Sequence, residues 1–475
     1  MLHQRVKNGQ KLLARGRDGP IFGPCGEPFL QMTTSIDPVR ETAVQLLVEV
    51  EKGLRLESLL EAVDSTHARD RRFLHQVVAG VTKWRDRLDW ILDRFAKRPV
   101  ASLSPAIRQV LRLGVYQILW LDRVPERAAV HTSVELAKHF EHSGTGGFVN
   151  AILRRVIAEG QRVSYPDPKT DPVGYYSVFY SHPRWLVSRW LARWGEPRTE
   201  ALLRANNEAA VLYVRAREGD AILPETYGAE AVEGHPGVFR VLQPEGLFVD
   251  PAFIDGWFAQ DVSAGLAARL LAPSLGDHVL DVCAAPGGKS AQLASAVGSG
   301  FVTASDISPQ RLSRMRENIL RLRRDRVHLV AEDGLHPAAI GPFDCVLADV
   351  PCSGTGVLGR HPEARWHKAA KDLPRHSERQ FLILEAAFAR LRPDGILVYS
   401  TCSLEEEEND AVVDRFLARH ADACLEMAST RFPDQAWAAR TVQTLPGRDL
   451  GDGAFAARIR RLPGVPSRTR TQKAT

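Results

Sequence analysis

The sequence predicts a multidomain protein: an all-helical N-terminal domain, a small α+β subdomain and a C-terminal α/β domain with a doubly wound sheet. A chain of 475 residues is long enough for about three domains of roughly 150 residues each. Apolar residues recur every three or four positions over residues 37–160, which indicates helices. From about Asp261 onward, strand-like and helical segments alternate, which is typical of a parallel, doubly wound sheet.

The predicted helical domain covers residues 37–160 and begins at a capping signal. Asp37 is a good N-cap residue, and Pro38 suits the first helical position. Five to seven helices are expected from the apolar periodicity. The clearest later runs are Phe73–Val81, Leu88–Phe95, Ala106–Leu121, Ala128–Phe140 and Phe148–Ile157.

Residues 161–258 are predicted to form a linker and a small α+β subdomain. Three prolines mark residues 161–180 as a linker, and helical patterning resumes at His182-Pro183. Short strand-like segments then follow at Val211–Arg215, Val238–Leu242 and Leu247–Val249.

The C-terminal α/β domain is assigned to residues 259–461. Its strand candidates are His278–Val282, Phe301–Ser305, Val327–Ala331, Cys345–Asp349 and Ile396–Ser400, and two helical runs among them are Ser290–Val297 and Gln310–Arg324. Residues 462–475 are predicted to be a solvated basic tail, and residues 1–36 an extension without apolar periodicity. Translation starts at Met1 and at Met32 are both compatible with this pattern.

Composition excludes several classes of protein. Hydrophobic residues make up 44% and charged residues 25%, as in ordinary globular chains. Six cysteines without a CxxC pair predict neither a disulfide framework nor a structural zinc site. Because there is no long apolar run and no secretory signal, we expect a cytoplasmic protein that binds neither a membrane nor a metal. A net charge of +5 is compatible with a nucleic-acid partner. A monomer is expected.

A glycine-containing turn follows the first strand of the α/β domain. Ligands of doubly wound sheets bind beyond the carboxyl ends of the strands, where a helix N-terminus offers free N–H groups. The turn matches neither a dinucleotide fingerprint nor a Walker A loop. The residues predicted to bind a cofactor here are Cys283, Ala284, Ala285, Pro286, Gly287, Gly288 and Lys289.

Carboxylates near the ends of the strands identify the class of cofactor. Asp281 and Asp306 lie at the first two strands, Asp333 follows the third and Asp349 ends the fourth. Asp306 is expected to accept ribose hydroxyls, and Asp333 to meet an adenine edge. Because acidic groups would repel a pyrophosphate, an adenosyl ligand without phosphate is favoured. S-adenosylmethionine, which is cationic at its sulfur and amino group, fits this pattern.

Two cysteines follow neighbouring strands on the same side of the predicted sheet. Cys352 follows the fourth strand and Cys402 ends the fifth. A thiolate that adds to carbon 6 of cytosine makes carbon 5 nucleophilic, so C5 methylation needs a thiol, an acid such as Asp349 and a base. Spacing alone does not decide which thiol attacks. Cys345, Cys424 and Cys283 are interpreted mainly as packing residues.

Three strings carry a specific resemblance. DVCAAPGGKS (281–290), DVPCSGTGVLGRHPEARW (349–366) and YSTCSLEEEEND (399–410) resemble the RNA 5-methylcytosine methyltransferases. This resemblance implies that Cys402 is the nucleophile, that Cys352 assists product release or acts as a base, and that Asp349 contacts cytosine N3. It also implies S-adenosylmethionine binding by residues 283–289, Asp306, Asp333 and Asp349.

The helical domain adds a second resemblance. GVYQILWL (114–121), ERAAVHTSVELAK (126–138) and GFVNAILRRV (147–156) are similar to the NusB-like RNA-binding domain. Together with a Rossmann-like methyltransferase domain, this resembles the bacterial small-subunit (16S) ribosomal RNA cytosine methyltransferases of the RsmB (Sun) type. The expected substrate is 16S rRNA, naked or in an early assembly intermediate.

Four residues after the Cys352 loop combine cations with an aromatic ring, which suits contacts with RNA. They are Arg360, His361, Arg365 and Trp366. The acidic run from Glu405 to Glu408 is interpreted as a solvated helix start. A transfer RNA methyltransferase and a non-catalytic RNA-binding factor remain alternative functions.

Overall fold

The computed structural model describes residues 36–464 apart from 64–66, 218–222, 224 and 337–340. The predicted extension (1–36) lies outside this range except for its last residue, and most of the predicted basic tail (462–475) lies outside it too. The chain divides into two compact units. The first comprises the described residues up to Arg193 together with His361–His367, and the second comprises Trp194–Arg360 and the described residues from Lys368 onward.

Helices build the first unit. They are α1 (Pro38–Glu51), α2 (Leu56–Glu61), α3 (Ala68–Lys83), α4 (Arg85–Phe95), α5 (Pro105–Trp120), α6 (Glu126–Phe140) and α7 (Ser143–Glu159). The side chain of Asp37 accepts a hydrogen bond from Arg40 N at 3.0 Å, so α1 begins at the predicted cap. Fully buried residues from several of these helices, such as Leu88, Leu111 and Leu153, share one apolar core. The predicted all-helical domain is confirmed.

The predicted proline-rich linker is largely structured. Residues Pro172–Phe179 form α8, because Asp171 caps the helix by accepting from Gly174 N at 2.8 Å and Pro172 occupies its first position. Helix α9 spans Arg184–Ala205 and is interrupted at Gly195, which adopts a φ of 73°. The residues before Arg193 thus belong with the helices rather than with the α+β subdomain.

A four-stranded antiparallel sheet opens the second unit. Its strands are β1 (Leu212–Ala216), β2 (Ala229–Ala231), β3 (Val238–Val241) and β4 (Trp257–Ala259), in the order β2-β3-β1-β4. Two of the predicted strands are present as β1 and β3. The prediction of a third strand at Leu247–Val249 is wrong, because these residues form a short 3-10 helix after Gly246, which adopts a left-handed φ of 78°.

The larger sheet of the second unit has eight strands: β5 (His278–Val282), β6 (Phe301–Asp306), β7 (Val327–Ala331), β8 (Phe343–Asp349), β9 (Leu391–Thr401), β10 (Ala423–Glu426), β11 (Val442–Thr444) and β12 (Ala454–Arg461). Its main path runs β10-β12-β9-β8-β5-β6-β7, with β11 paired to β12. The five predicted strands are present and parallel to one another. The sequence prediction missed the antiparallel part made by β10, β11 and β12.

Both faces of this sheet are buried. Val279, Cys345 and Leu347 belong to one apolar cluster, whereas Leu280 and Val346 belong to another. Successive strand residues point to opposite faces, so this alternation shows that the sheet is covered on both sides. The helices of the second unit are α10 (Pro251–Gly256), α11 (Leu266–Leu271), α12 (Gly288–Val297), α13 (Pro309–Arg321), α14 (Leu373–Phe388) and α15 (Asp410–Arg419).

Candidate active site

The turn between β5 and α12 has a backbone shape that depends on its residues. Cys283 adopts a φ of 64° and Gly287 a φ of 100°. A Cβ atom at Gly287 would lie 2.8 Å from Cγ of Met315, so any larger residue would be strained and would also clash. Helix α12 begins at the next residue, Gly288, and its first N–H groups lie at the carboxyl edge of the sheet.

Two carboxylates beside this turn are almost fully buried. Asp281 accepts a hydrogen bond from Ser290 Oγ at 2.5 Å, and its other oxygen has no hydrogen-bond partner among the described residues. Burial raises the pKa of Asp281 to about 7. Asp306 accepts from Ala285 N at 3.3 Å and pairs with Arg311 at 3.0 Å, so it is tied directly to the turn.

The remaining predicted cofactor residues follow the neighbouring strands. Asp333 comes after β7 and accepts a hydrogen bond from Leu335 N at 3.1 Å. Burial, together with the charges of Asp306, Asp349 and Asp281, raises the pKa of the Cys283 thiol to about 12. The turn is surrounded by carboxylates, and one buried oxygen of Asp281 is still able to accept a hydrogen bond. A cationic adenosyl ligand fits these surroundings. The cofactor roles of these residues stay a prediction.

The two candidate reactive cysteines lie together. Strands β8 and β9 are adjacent and parallel, with Asp349 opposite Ser400, so both chain segments leave the sheet at the same edge. The Sγ atoms of Cys352 and Cys402 are 3.3 Å apart. A hydrogen bond with Cys402, together with burial, raises the pKa of the Cys352 thiol well above its ordinary value.

An ion pair lies next to these thiols. Lys289 Nζ is 2.7 Å from Oδ2 of Asp349, and Ser400 Oγ donates to Oδ1 of Asp349 at 2.9 Å. Burial opposes the charging of Lys289, but the nearby Asp349, Asp281 and Cys402 outweigh it and raise the pKa of the lysine. Lys289 thus remains a cation beside Cys402, where it can stabilise a thiolate.

A cavity of about 140 Å³ opens beside Cys402. The residues that line it with polar groups include Lys289, Asp349, Ser400, Cys402 and Asp452. Its apolar wall includes Val350, Val357 and residues of β12 such as Phe455. The residues around the cavity therefore include one that carries a thiol, one that carries an ammonium group and two that carry carboxylates.

The acidic run after β9 differs from its prediction. Glu405 is 3% exposed and Glu408 is fully buried, so this segment is not a solvated helix start. Glu408 accepts hydrogen bonds from Ser353 and Ser403, the residues that follow the two cysteines. The run of four glutamates concealed this buried acceptor, because in sequence it is indistinguishable from a charged surface.

Two of the predicted RNA-binding arginines have other partners. Arg360 pairs with Asp261 at 2.6 Å and with Asp452 at 2.5 Å. Arg365 is fully buried in the first unit, where its Nη1 donates to Ser181 O at 2.9 Å and to Lys83 O at 3.3 Å. A guanidinium without exposed surface cannot reach a phosphate, so the prediction for Arg365 is corrected.

The aromatic candidate is also engaged within the first unit. Trp366 Nε1 donates to Thr82 O at 2.7 Å, and the guanidinium carbon of Arg85 lies 3.7 Å from its ring centroid. One face of its ring is therefore covered by Arg85, and its predicted contact with RNA stays a prediction. His361 is half-buried, and its predicted contact with RNA stays a prediction.

The described residues contain neither a candidate membrane-spanning helix nor a candidate metal site. None of the helices in the described part of the chain is long and apolar enough to cross a membrane. The described residues also contain no group of three or more His, Cys, Asp or Glu side chains placed to hold a metal ion.

Comparison with known proteins identifies the family. The chain is 33% identical over 435 residues to ribosomal RNA small subunit methyltransferase B of Salmonella arizonae, covering 89% of this chain and 98% of the relative. The protein of that name from Escherichia fergusonii is 32% identical with the same coverage. The chain belongs to the RsmB/F family of 16S rRNA methyltransferases. The matching family model, "16S rRNA methyltransferase RsmB/F", covers residues 268–460.

Two further family models match other parts of this RsmB/F chain. The NusB family matches residues 37–158, and a "Methyltr_RsmF/B-like, ferredoxin-like domain" matches residues 182–218. The solved structure of the protein PH0851 is similar with a TM-score of 0.73 and 24% identity, over 90% of this chain and 99% of that one. A methyltransferase homolog protein from Pyrococcus horikoshii has a TM-score of 0.51 and 26% identity over 60% and 98%.

Proposed function

We propose that this methyltransferase transfers a methyl group from S-adenosylmethionine to carbon 5 of a cytosine in small-subunit ribosomal RNA, through a covalent bond between Cys402 and carbon 6. The observation that carries the proposal is the pair of thiols 3.3 Å apart, next to a partly buried Lys289–Asp349 ion pair and a cavity. Cytosine C5 chemistry requires a thiol, an acid and a route for a proton, and this cavity contains candidates for each.

The reaction begins at Cys402. Its thiolate, beside the Lys289 cation, forms a bond to carbon 6 of the flipped-out base, while a proton held between Asp349 and ring N3 neutralises the charge that develops on N3 and leaves carbon 5 enamine-like. The cofactor, when bound near the turn at Gly287, supplies an electrophilic methyl group for carbon 5. A base then removes the carbon 5 proton, and the bond between carbon 6 and Cys402 breaks. Cys352, within contact of Cys402, assists this release.

The choice of RNA rests on the family and on the helical domain. The relatives carry small-subunit ribosomal RNA in their names. The NusB match over residues 37–158 supports a separate RNA-binding domain in this chain. Transfer RNA remains a second substrate to test, and a non-catalytic RNA-binding factor remains a second function.

One assay tests reaction and substrate together. Methyl-labelled S-adenosylmethionine is incubated with deproteinised small-subunit rRNA, with transfer RNA and with duplex DNA, and the nucleosides are separated after digestion. We expect labelled 5-methylcytidine from the ribosomal RNA alone. Label in transfer RNA would retain the chemistry and overturn the substrate. The assay is repeated with small-subunit assembly intermediates as the substrate. A protein that binds the cofactor but labels neither naked RNA nor these intermediates would support the non-catalytic RNA-binding factor instead.

A further inference from the structure

One buried carboxylate lies behind both cysteines. Glu408 is fully buried, and its side chain accepts from Ser353 N at 2.8 Å, from Ser403 Oγ at 2.5 Å and from Gln380 Nε2 at 3.0 Å. Ser353 Oγ donates a fourth hydrogen bond to it. An ionised carboxylate only accepts hydrogen bonds, so it is the form that matches four donors.

These donors come from the two chain segments that carry the thiols. Ser353 directly follows Cys352, and Ser403 directly follows Cys402. The two serine hydroxyls also lie 3.0 Å from each other. Glu408 therefore joins the loop after β8 to the end of β9 immediately behind the pair of sulfur atoms, and it limits how far the two thiols can separate.

Charge is distributed unequally around the two thiols. Lys289 lies on the Cys402 side, where it pairs with Asp349 and interacts electrostatically with Cys402. The Glu408 carboxylate is bonded to the residue after each cysteine, and its negative charge acts on the Cys352 thiol. The hydrogen bond with Cys402 and burial raise the pKa of Cys352 most, and the negative charge of Glu408 raises it further.

The other titratable groups near this pair do not reverse the asymmetry. Tyr399 of β9 interacts with both Cys352 and Glu408, and burial raises its pKa, so it stays neutral near pH 7. His376 of α14 faces Glu408, and burial lowers its pKa below the ordinary value, so it too is mainly neutral. Lys289, paired with Asp349, is thus a cation whose charge acts on Cys402, and Glu408 is an anion whose charge acts on Cys352.

We propose that Glu408 is a positioning residue: by joining Ser353 to Ser403 it holds the two thiols opposed and places a buried negative charge beside the Cys352 segment, so that Cys402 is the cysteine that attacks. This inference rests on the proposed function. The spacing of the cysteines in the sequence leaves open which one attacks and which one assists release. Charge and contact assign these two roles. Cys352, retained as a neutral thiol, stays available to donate its proton to the Cys402 sulfur as product is released.

The test measures the thiols themselves and needs neither RNA nor cofactor. The full-length protein is alkylated briefly with iodoacetamide between pH 6 and pH 10, and the modification of each cysteine is measured by peptide mass spectrometry. Cys424 is exposed and serves as an internal reference. In the native protein we expect Cys352 to react more slowly than Cys402 at pH 7.5, because a hydrogen bond with Cys402 and burial raise the pKa of Cys352.

The variant Glu408→Gln removes the charge and keeps the shape of the side chain. We expect the pH midpoint of Cys352 to fall by about one unit, which is about a tenfold faster alkylation at pH 8, with Cys424 unchanged. Glu406→Gln removes a charge from an exposed position of the same run and is the matched control; it should behave as the native protein does. Ser403→Ala retains the Glu408 charge, so Cys352 should remain slow in it.

Three outcomes would overturn the proposal. The first is that the pH midpoint for alkylation of Cys352 is unchanged in a folded Glu408→Gln protein. The second is that Ser403→Ala accelerates the alkylation of Cys352 as much as Glu408→Gln does. The third is that Cys352 is alkylated faster than Cys402 in the native protein. The last needs no variant, so it applies even if Glu408→Gln does not fold. A protein that shows the expected thiol reactivities but transfers no methyl group would instead contradict the proposed function.

Discussion

The turn at residues 283–289 and the pair Cys352 and Cys402 lie at the same edge of one sheet, but they are specified in different ways. The turn is local: Gly287 adopts a φ that few other residues tolerate, and the strand and helix beside it follow directly in the chain. The thiol pair depends on residues 50 positions apart that are joined through Glu408. A local turn can be recognised from its letters, whereas a pair of this kind depends on long-range packing.

The largest expected effect separates the two thiols. Cys402→Ala should reduce methyl transfer by more than about 1000-fold, because no nucleophile remains. Cys352→Ala should instead accumulate a covalent protein–RNA adduct, visible on a denaturing gel, because attack is retained and release is impaired. An adduct that persists in Cys402→Ala would reverse the two roles.

On the cofactor side, Asp281 should make stability depend on pH. Its folded pKa of about 7 exceeds the value of about 3.9 in an unfolded chain. The stabilisation from this group is therefore complete below about pH 4 and is lost as the pH rises through about 7. Asp281→Asn should remove that dependence, at most about 4 kcal/mol across the window. Urea unfolding of both proteins without cofactor measures it; parallel pH profiles would contradict the assignment.

Lys289 connects the two regions, because its backbone belongs to the turn and the charge of its side chain acts on Cys402. Lys289→Met removes a partly buried cation and leaves Asp349 without its ion-pair partner, while Ser400 Oγ still donates to it. We expect kcat/KM for methyl transfer to fall by about 100-fold, the size typical for loss of a preorganised electrostatic contact. Lys371→Met, at an exposed position, is the control. Full activity in a folded Lys289→Met protein would exclude the proposed electrostatic role.

The smallest effect concerns the shape of the turn. Gly287→Ala introduces a Cβ atom 2.8 Å from Cγ of Met315 at a φ of 100°. Strain of about 1–2 kcal/mol should weaken S-adenosylmethionine binding roughly tenfold in titration calorimetry. Gly147→Ala, in a helix with no atom within 4 Å of the added carbon, should leave the affinity unchanged. Equal affinities in both variants would show that the turn does not contact the cofactor.

Sequence periodicity predicted much of this architecture because its signals are local. The parallel strands β5 to β9 and the helical domain follow from apolar patterns in single segments. The antiparallel strands β10 and β12 were missed, because what identifies them is pairing with each other and with β9. The motifs correctly placed Cys352 and Cys402 at the ends of adjacent strands.

Burial of charged residues was the feature that the sequence predicted least well. Arg365 was expected at a surface, but it lies among backbone carbonyls of the first unit. Glu408 was expected in solvent, but it accepts four hydrogen bonds in the interior. An isolated charged residue carries no local sign of its partners, and only a complete set of donors or acceptors makes its burial tolerable.

The order of the domains, the parallel strands and the residue types at their ends follow from the amino-acid sequence alone, because they depend on short-range propensity and spacing. The tertiary structure decided which of those residues meet. It brought two thiols to 3.3 Å, placed Lys289 against Asp349 and enclosed Glu408 behind the cysteines. The physical reason is that a burial environment and a network of hydrogen bonds are properties of the assembled core, which no single segment contains.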